Sequence, residues 1–158
     1  MSNVYDVPYM QRTREYYRAQ GYTNDYQWAH FDATPFHALA KPLPESRVGL
    51  ITTAMPDTDE GRKTRKVYST PIEPTPASLY TTELSWHHGV THTNDVASIL
   101  PIQQLRRLKA QGLIADIAPD FLSAPTDYSK RNTLENDAPA ILERCRAQNV
   151  DVAILVPL

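Results

Sequence analysis

Arg47-Val48-Gly49-Leu50-Ile51-Thr52-Thr53-Ala54 is an apolar run with almost no alternation, the pattern of a strand covered on both faces and hence of a parallel sheet flanked by helices. A second such run, Asp151-Val152-Ala153-Ile154-Leu155-Val156-Pro157-Leu158, stands at the end of the sequence and reads as another buried strand. Ahead of it Ala138, Ile141, Leu142 and Cys145 recur at i, i+3, i+4 and i+7 behind Asp137, which predicts an amphipathic helix with a carboxylate cap. The short link from that helix to the strand has the usual length of an αβ connection.

Working outward, Lys66-Val67-Tyr68-Ser69 predicts a short strand, and Leu79 to Trp86 a third; Pro71, Pro74 and Pro76 between them exclude a central strand or a regular helix. Pro101 to Gln111 predicts a helix with Ile102, Leu105 and Leu108 on one face, stopped by Gly112, and Leu113 to Ala118 a further short strand. Strands and helices alternate through this half, so the expected fold is α/β, three layers around a mostly parallel sheet of the Rossmann-like or flavodoxin-like kind. The expected division is 47–158 as the α/β domain and 1–46 as an N-terminal arm packed on it. That arm contains a helix over about Val7 to Gln20, with Asp6 as cap and Gly21 as stop, then an aromatic, proline-rich stretch around Trp28 and Phe31. His30 and His37 lie in it, where packing is the expected role.

The chain has 158 residues, of which 41% are hydrophobic and 22% charged, with a net charge of −2. That is the composition of one globular domain. No apolar stretch approaches a membrane span, and the first residues do not form a secretory signal, so no membrane partner and a cytoplasmic location are expected. The one basic cluster, Arg62-Lys63-Thr64-Arg65-Lys66, follows Asp57, Asp59 and Glu60; this is a solvated loop rather than a nucleic-acid face. A single cysteine, Cys145, excludes an internal disulfide, and its place on an apolar stripe makes it a small hydrophobe rather than a nucleophile. Five glycines in all leave no Gly-rich phosphate loop.

The densest polar constellation is Ser85-Trp86-His87-His88-Gly89-Val90-Thr91-His92-Thr93-Asn94-Asp95, with three of the five histidines. Three readings stand side by side. His88 and His92, with Asp95, could ligate a divalent metal in a hydrolase, although Gly89 and the β-branched neighbours disfavour the helix that gives i, i+4 spacing its meaning. Ser85, His87, His88 and His92 could instead supply acid/base and hydrogen-bonding groups to a pocket rim, with Asn94 and Asp95 binding substrate. The third reading is a polar loop satisfied by backbone and solvent. Thr52 and Thr53, at the carboxyl end of the strongest strand, are candidate substrate-binding hydroxyls and equally good strand and capping residues. A complete non-enzymatic module binding a small molecule or a partner at this face is the alternative to an enzyme, and an exposed terminal strand offers a second chain an edge to pair with.

Several segments resemble the selenoprotein B family: Tyr9-Met10-Gln11-Arg12-Thr13-Arg14, Trp28-Ala29-His30-Phe31, Ala40-Lys41-Pro42-Leu43, residues 47–54, Asn94-Asp95-Val96 with Leu100-Pro101-Ile102, and Val152-Ala153-Ile154-Leu155-Val156-Pro157. The family contains the B components of glycine, sarcosine and betaine reductases and a subunit of D-proline reductase. The likeness spans nearly the whole chain and is nearest the short, stand-alone members.

The resemblance implies reductive C–N bond cleavage by a selenocysteine, or in some members a cysteine, at the position following Leu158, with a second cysteine, a strand and a helix beyond. It also implies a small-molecule substrate, a thiol reductant and a partner subunit or homo-oligomer, with no cofactor in residues 1–158 themselves. A selenocysteine is encoded by UGA, so the expectation is a chain that stops at that codon, incomplete at its C-terminus and inactive by itself. Ser85, His87, His88 and His92 would then orient substrate or carry protons.

Overall fold

β1 (Arg47–Thr52) is paired along both edges and covered on both faces, and the sheet is built outward from it. The computed structural model describes residues 8–25, 30, 32–35, 37–84 and 86–158. The chain divides into two units, residues 1–36 and 37–158.

In the first unit α1 (Tyr9–Ala19) follows Pro8, and Gly21, at φ +89°, makes the left-handed turn that ends it. Asp6, the expected cap, lies outside the described residues, as do Trp28 and Phe31. None of the residues of α1 is buried. The Tyr17 ring meets Tyr16 and Tyr22 edge-on at 5.6 Å, and Arg18 reaches Asp25 through Nε at 2.7 Å. His30 is exposed beside Asp32.

In the second unit Val48–Thr52 pair in parallel with β7 (Val152–Val156) on one edge of β1. The other edge is shared by two short parallel strands, β5 (Asp116–Ile117) against Arg47–Val48 and β6 (Asp120–Ser123) against Ile51–Thr52. The register slips by two residues between them, at Ala118-Pro119, where proline cannot donate to a ladder. β3 (Tyr68–Pro71) adds antiparallel to β6 and forms the far edge. The result is an α/β fold with a mixed, mostly parallel sheet. A separate ribbon pairs β2 (Met55–Pro56) with β4 (Leu79–Tyr80) just beyond the carboxyl end of β1.

Side-chain alternation assigns the layers. Val48 and Leu50 face the same way as Ile117, Phe121 and Val152, and pack with Ile99 of α3 (Val96–Ile99) and with Ile102 and Leu105 of α4 (Ile102–Ala110). Gly49 and Ile51 face the other way. Ile51 lies with Ala153 beneath Ala138, Ile141, Leu142 and Cys145 of α6 (Ala138–Ala147), and a Cβ at Gly49 would press on the Val150 methyls. Helices therefore cover both faces.

Several expected elements differ. Leu79 to Trp86 is not a strand of the main sheet: only Leu79–Tyr80 extend, and the Trp86 indole turns back to donate to the Thr81 carbonyl at 3.1 Å. The strand expected at 113–118 begins later and resumes as β6, which Pro119 disguises. The basic cluster begins at the end of a short helix, α2 (Asp59–Lys63), and Arg62, Arg65 and Lys66 are paired with Asp57, Glu83 and Glu60. Asp137 does not cap α6. α5 (Lys130–Asn132), capped by Ser129, runs on through a π turn (Thr133–Asp137) into α6, so Asp137 lies inside continuous helix. β7 is an edge rather than a buried strand: Ala153, Ile154 and Leu155 are exposed. His37 is exposed rather than packed.

Of the glycines, buried Gly61 is the most confined: an added Cβ there would collide with the Pro56 carbonyl. Gly61→Ala is expected to cost about 1–3 kcal/mol. Phe121→Ala, which empties a fully buried position, is expected to cost about 3–5 kcal/mol. Urea unfolding of the two variants measures both.

Candidate functional site

The connection leaving β1 runs through β2 and α2 to the edge strand β3; the chain then returns to β5 through α4 on one face, and the connection leaving β6 returns through α6 on the other. The carboxyl ends of β1 and β6, Thr52-Thr53 and Ser123-Ala124, stand side by side in the ladder. In open α/β sheets ligand crevices form outside the carboxyl ends of the strands.

Three hydroxyls stand there. Thr52 is fully buried, and its Oγ1 accepts from the Ala54 amide at 3.3 Å, so it turns the chain rather than facing solvent. Thr53 is half-buried, and its Oγ1 accepts from the Leu158 amide at 2.9 Å. That bond brings the end of β7 to the same crevice. Ser123 sits opposite Thr52 in the ladder, and its buried Oγ has no hydrogen-bond partner among the described residues. An unsatisfied buried hydroxyl costs free energy. Sequence reasoning missed Ser123 because Pro119 hid its strand.

The segment after Ser123 is the second feature. Asp127 accepts from the Ser129 amide at 3.0 Å, and between them Tyr128 takes φ +55°, unusual for a side chain of that size. Asn132 donates from one amide nitrogen to Asp127 at 2.8 Å and to Asp137 at 3.0 Å. Burial, with Asp127 close by, raises the Asp137 pKa above the ordinary carboxylate range, against the opposing Asn132 bond. The π turn that holds this group is a geometry often found at functional sites.

The histidine loop leaves the β2–β4 ribbon, so it belongs to the same edge of the sheet. It is tied down at its base: Thr81 and Thr93 share a hydrogen bond of 2.6 Å, and the His88 ring lies 3.8 Å from that of Trp86. His87, His88, His92, Asn94 and Asp95 are all exposed. His92 Nδ1 accepts from the Asn94 amide at 3.4 Å, and Asp95 accepts from the Ala97 amide at 3.1 Å as the cap of α3. Ser85 lies outside the described residues. Among the described residues no three His, Cys, Asp or Glu side chains are grouped to hold a metal ion. His88, His92 and Asp95 are each turned to a different local partner, so the metal reading of this loop loses its geometry. No hydrogen bond among the described residues joins the loop to Thr52 or Thr53.

The opposite end of the sheet is electrostatic. Lys41, Glu45, Arg47, Asp116, Asn149 and Asp151 line a cleft of about 340 Å³. Its charges answer one another: Lys41 with Asp151 at 2.8 Å, Arg47 with Asp116 at 3.2 Å, and Lys109 with Asp116 at 2.6 Å. The Arg47 amide and Lys41 hold the Asp151 carboxyl below the usual range. This end registers β1 against its neighbours.

Asp137 gives the site a pH signature. A carboxyl whose folded pKa lies above its unfolded one favours folding when protonated. Its contribution is full below the unfolded value and falls away as pH rises through the folded one. Asp137→Asn is therefore expected to be more stable than the parent at neutral pH. The difference should vanish below the ordinary aspartate range, as read by urea unfolding at the two pH values. Comparison of the chain with protein families, with curated proteins and with solved structures finds no match.

Proposed function

We propose that this α/β domain is the substrate-binding and supporting part of a selenoprotein B-like reductase, of the kind that cleaves a C–N bond reductively in glycine, sarcosine, betaine or D-proline. The observation that supports this reading is the delivery of Leu158 to the carboxyl end of β1, with its amide on Thr53 Oγ1 at 2.9 Å. A selenocysteine or cysteine following that position would stand at the carboxyl edge of the sheet, beside the two threonines. In the chemistry the resemblance implies, the selenolate attacks the carbon bearing an amine activated by a carbonyl group of a partner subunit. The Se–C bond forms as the C–N bond breaks, and thiols then release the selenium. Thr53, with Asn94 and Asp95, would orient the substrate. His87, His88 and His92, together with Ser85, would move protons for the leaving amine. Residues 1–158 contain no group able to replace the nucleophile, since Cys145 is half-buried on α6 and burial pushes its thiol pKa up.

A second reading rests on the histidine loop. Trp86, fixed by the Thr81 carbonyl and covered by His88, gives exposed imidazoles a rigid base, which suits a small-molecule-binding module without redox chemistry.

The reading frame after the Leu158 codon separates the two. The reductase reading expects an in-frame UGA, an open frame beyond it encoding a nearby cysteine, and a selenocysteine-insertion hairpin. The full-length product should then release amine from substrate in the presence of dithiol, and replacement of the selenocysteine by serine should abolish that release. A UAA or UAG codon at this position overturns the reductase and leaves the binding module.

A further inference from the structure

We infer that the bridge formed by Asp127, Asn132 and Asp137 is a pH-sensitive latch on the segment that leaves β6: it closes when one of its two carboxyl groups holds a proton and loosens when both are charged. The inference stands apart from the reductase reading.

The latch is built around one side chain. Asn132 Nδ2 carries two hydrogens and the fold uses both, one toward Asp127 Oδ2 at 2.8 Å and one toward Asp137 Oδ2 at 3.0 Å. Its Oδ1 accepts from Asn136 Nδ2 at 2.7 Å. One amide thus ties the segment between β6 and α5 to the last residue of the π turn. Because the two N–H bonds of a planar amide diverge by about 120°, the two carboxylate oxygens stand about 5 Å apart, a separation at which like charges oppose each other's ionisation. Three backbone amides depend on the same corner. Ser129 donates to Asp127 Oδ1 at 3.0 Å, Asn132 to Ser129 Oγ at 3.2 Å, and Thr133 to the Ser129 carbonyl at 2.9 Å. Tyr128 sits within this corner at φ +55°, a conformation that persists where the surroundings over-determine it.

The two acids are unequal. Asp127 is exposed, whereas Asp137 is 7% exposed, so Asp137 is the one that takes the proton as pH falls. The charge that acts on it is that of Asp127, from the segment after β6. On the neighbouring helical turns Lys130, Arg131 and Glu135 are exposed, and the sheet meets the start of α6 with Ile51 and Ala153, which carry no charge. Burial first, and Asp127 second, raise the Asp137 pKa, against the smaller opposing bond from Asn132.

An opening that hydrates Asp137 returns it to the ordinary aspartate range. Between that range and the folded value the closed latch holds a proton that the open latch releases, so each rise of one pH unit makes opening up to about tenfold more frequent. Below the window both states are protonated, and above it both are charged, so the opening equilibrium is level on either side. The latched segment begins directly after Ser123, whose strand pairs with Thr52. Its loosening therefore falls at the carboxyl ends of the strands, the part of an open sheet that receives ligands.

Hydrogen exchange of the 158-residue chain, followed amide by amide and corrected for the intrinsic effect of pH, is the test, with Asp137 titrated in parallel through its carboxyl carbon shift. Protection at the Ser129, Asn132 and Thr133 amides should fall by up to about tenfold per pH unit while Asp137 titrates, and then level off. The Ala118 amide, bonded to the Val48 carbonyl in the core, should remain the better protected throughout. Asp137→Asn should make protection at the three amides independent of pH, and Asp127→Asn should move the fall to lower pH by removing the opposing charge. Protection at these amides that does not change with pH in the parent chain overturns the inference. So does a fall that survives Asp137→Asn, or three amides that open only together with Ala118, which would make the titration a property of the whole domain.

Discussion

The whole second unit hangs on the requirement that β1, once stripped of water, have every peptide group bonded and both faces packed. Its even-numbered carbonyls look toward β5 and β6 and its odd-numbered ones toward β7. Its Val48 and Leu50 side chains need α3 and α4, and its Ile51 needs α6. Each neighbour is thus recruited by a particular unsatisfied surface of one six-residue strand. The helices that cover it form two layers, α3 and α4 on one face and α6 on the other, and its carboxyl end at Thr52-Thr53 lies beside Ser123.

The two ends of the sheet divide the chemistry. At the amino ends, carboxylates and cations sit within reach of one another, and their mutual satisfaction lowers the pKa values of Asp116 and Asp151. That network offers little to a ligand. At the carboxyl ends the groups are less content: a buried serine hydroxyl without a partner, a tyrosine at positive φ, and an aspartate whose pKa is raised by burial and a neighbouring acid. Sites of function are commonly drawn from such imperfectly satisfied groups.

Much of this was legible from residue pattern. The run 47–54 announced a strand covered on both faces, Ile102, Leu105 and Leu108 announced the amphipathic α4, and Gly21 and Gly112 announced helix ends. Pro119 was misleading, because proline reads as a break although here it marks a slip between two segments on the same edge. Leu79 to Trp86 has strand composition, but after two residues the indole of Trp86 finds a carbonyl partner in its own loop. Asp137 has the composition of a cap, yet Ser129 begins the helix two turns earlier. The histidine cluster was visible at once; that its rings and carboxylates turn to separate local partners was not.

By itself the sequence determined the class of fold and the approximate spans of α1, β1, α4 and β7, because both depend on the spacing of apolar side chains and on local backbone preference. It also determined which side chains were available to a site. The tertiary structure alone decided strand order, and with it the neighbours of Thr52 and Thr53, the burial of Ser123 and the exposure of β7. Those properties depend on which distant segments share an edge, and an apolar strand has the same composition whether it lies at the centre of a sheet or at its border.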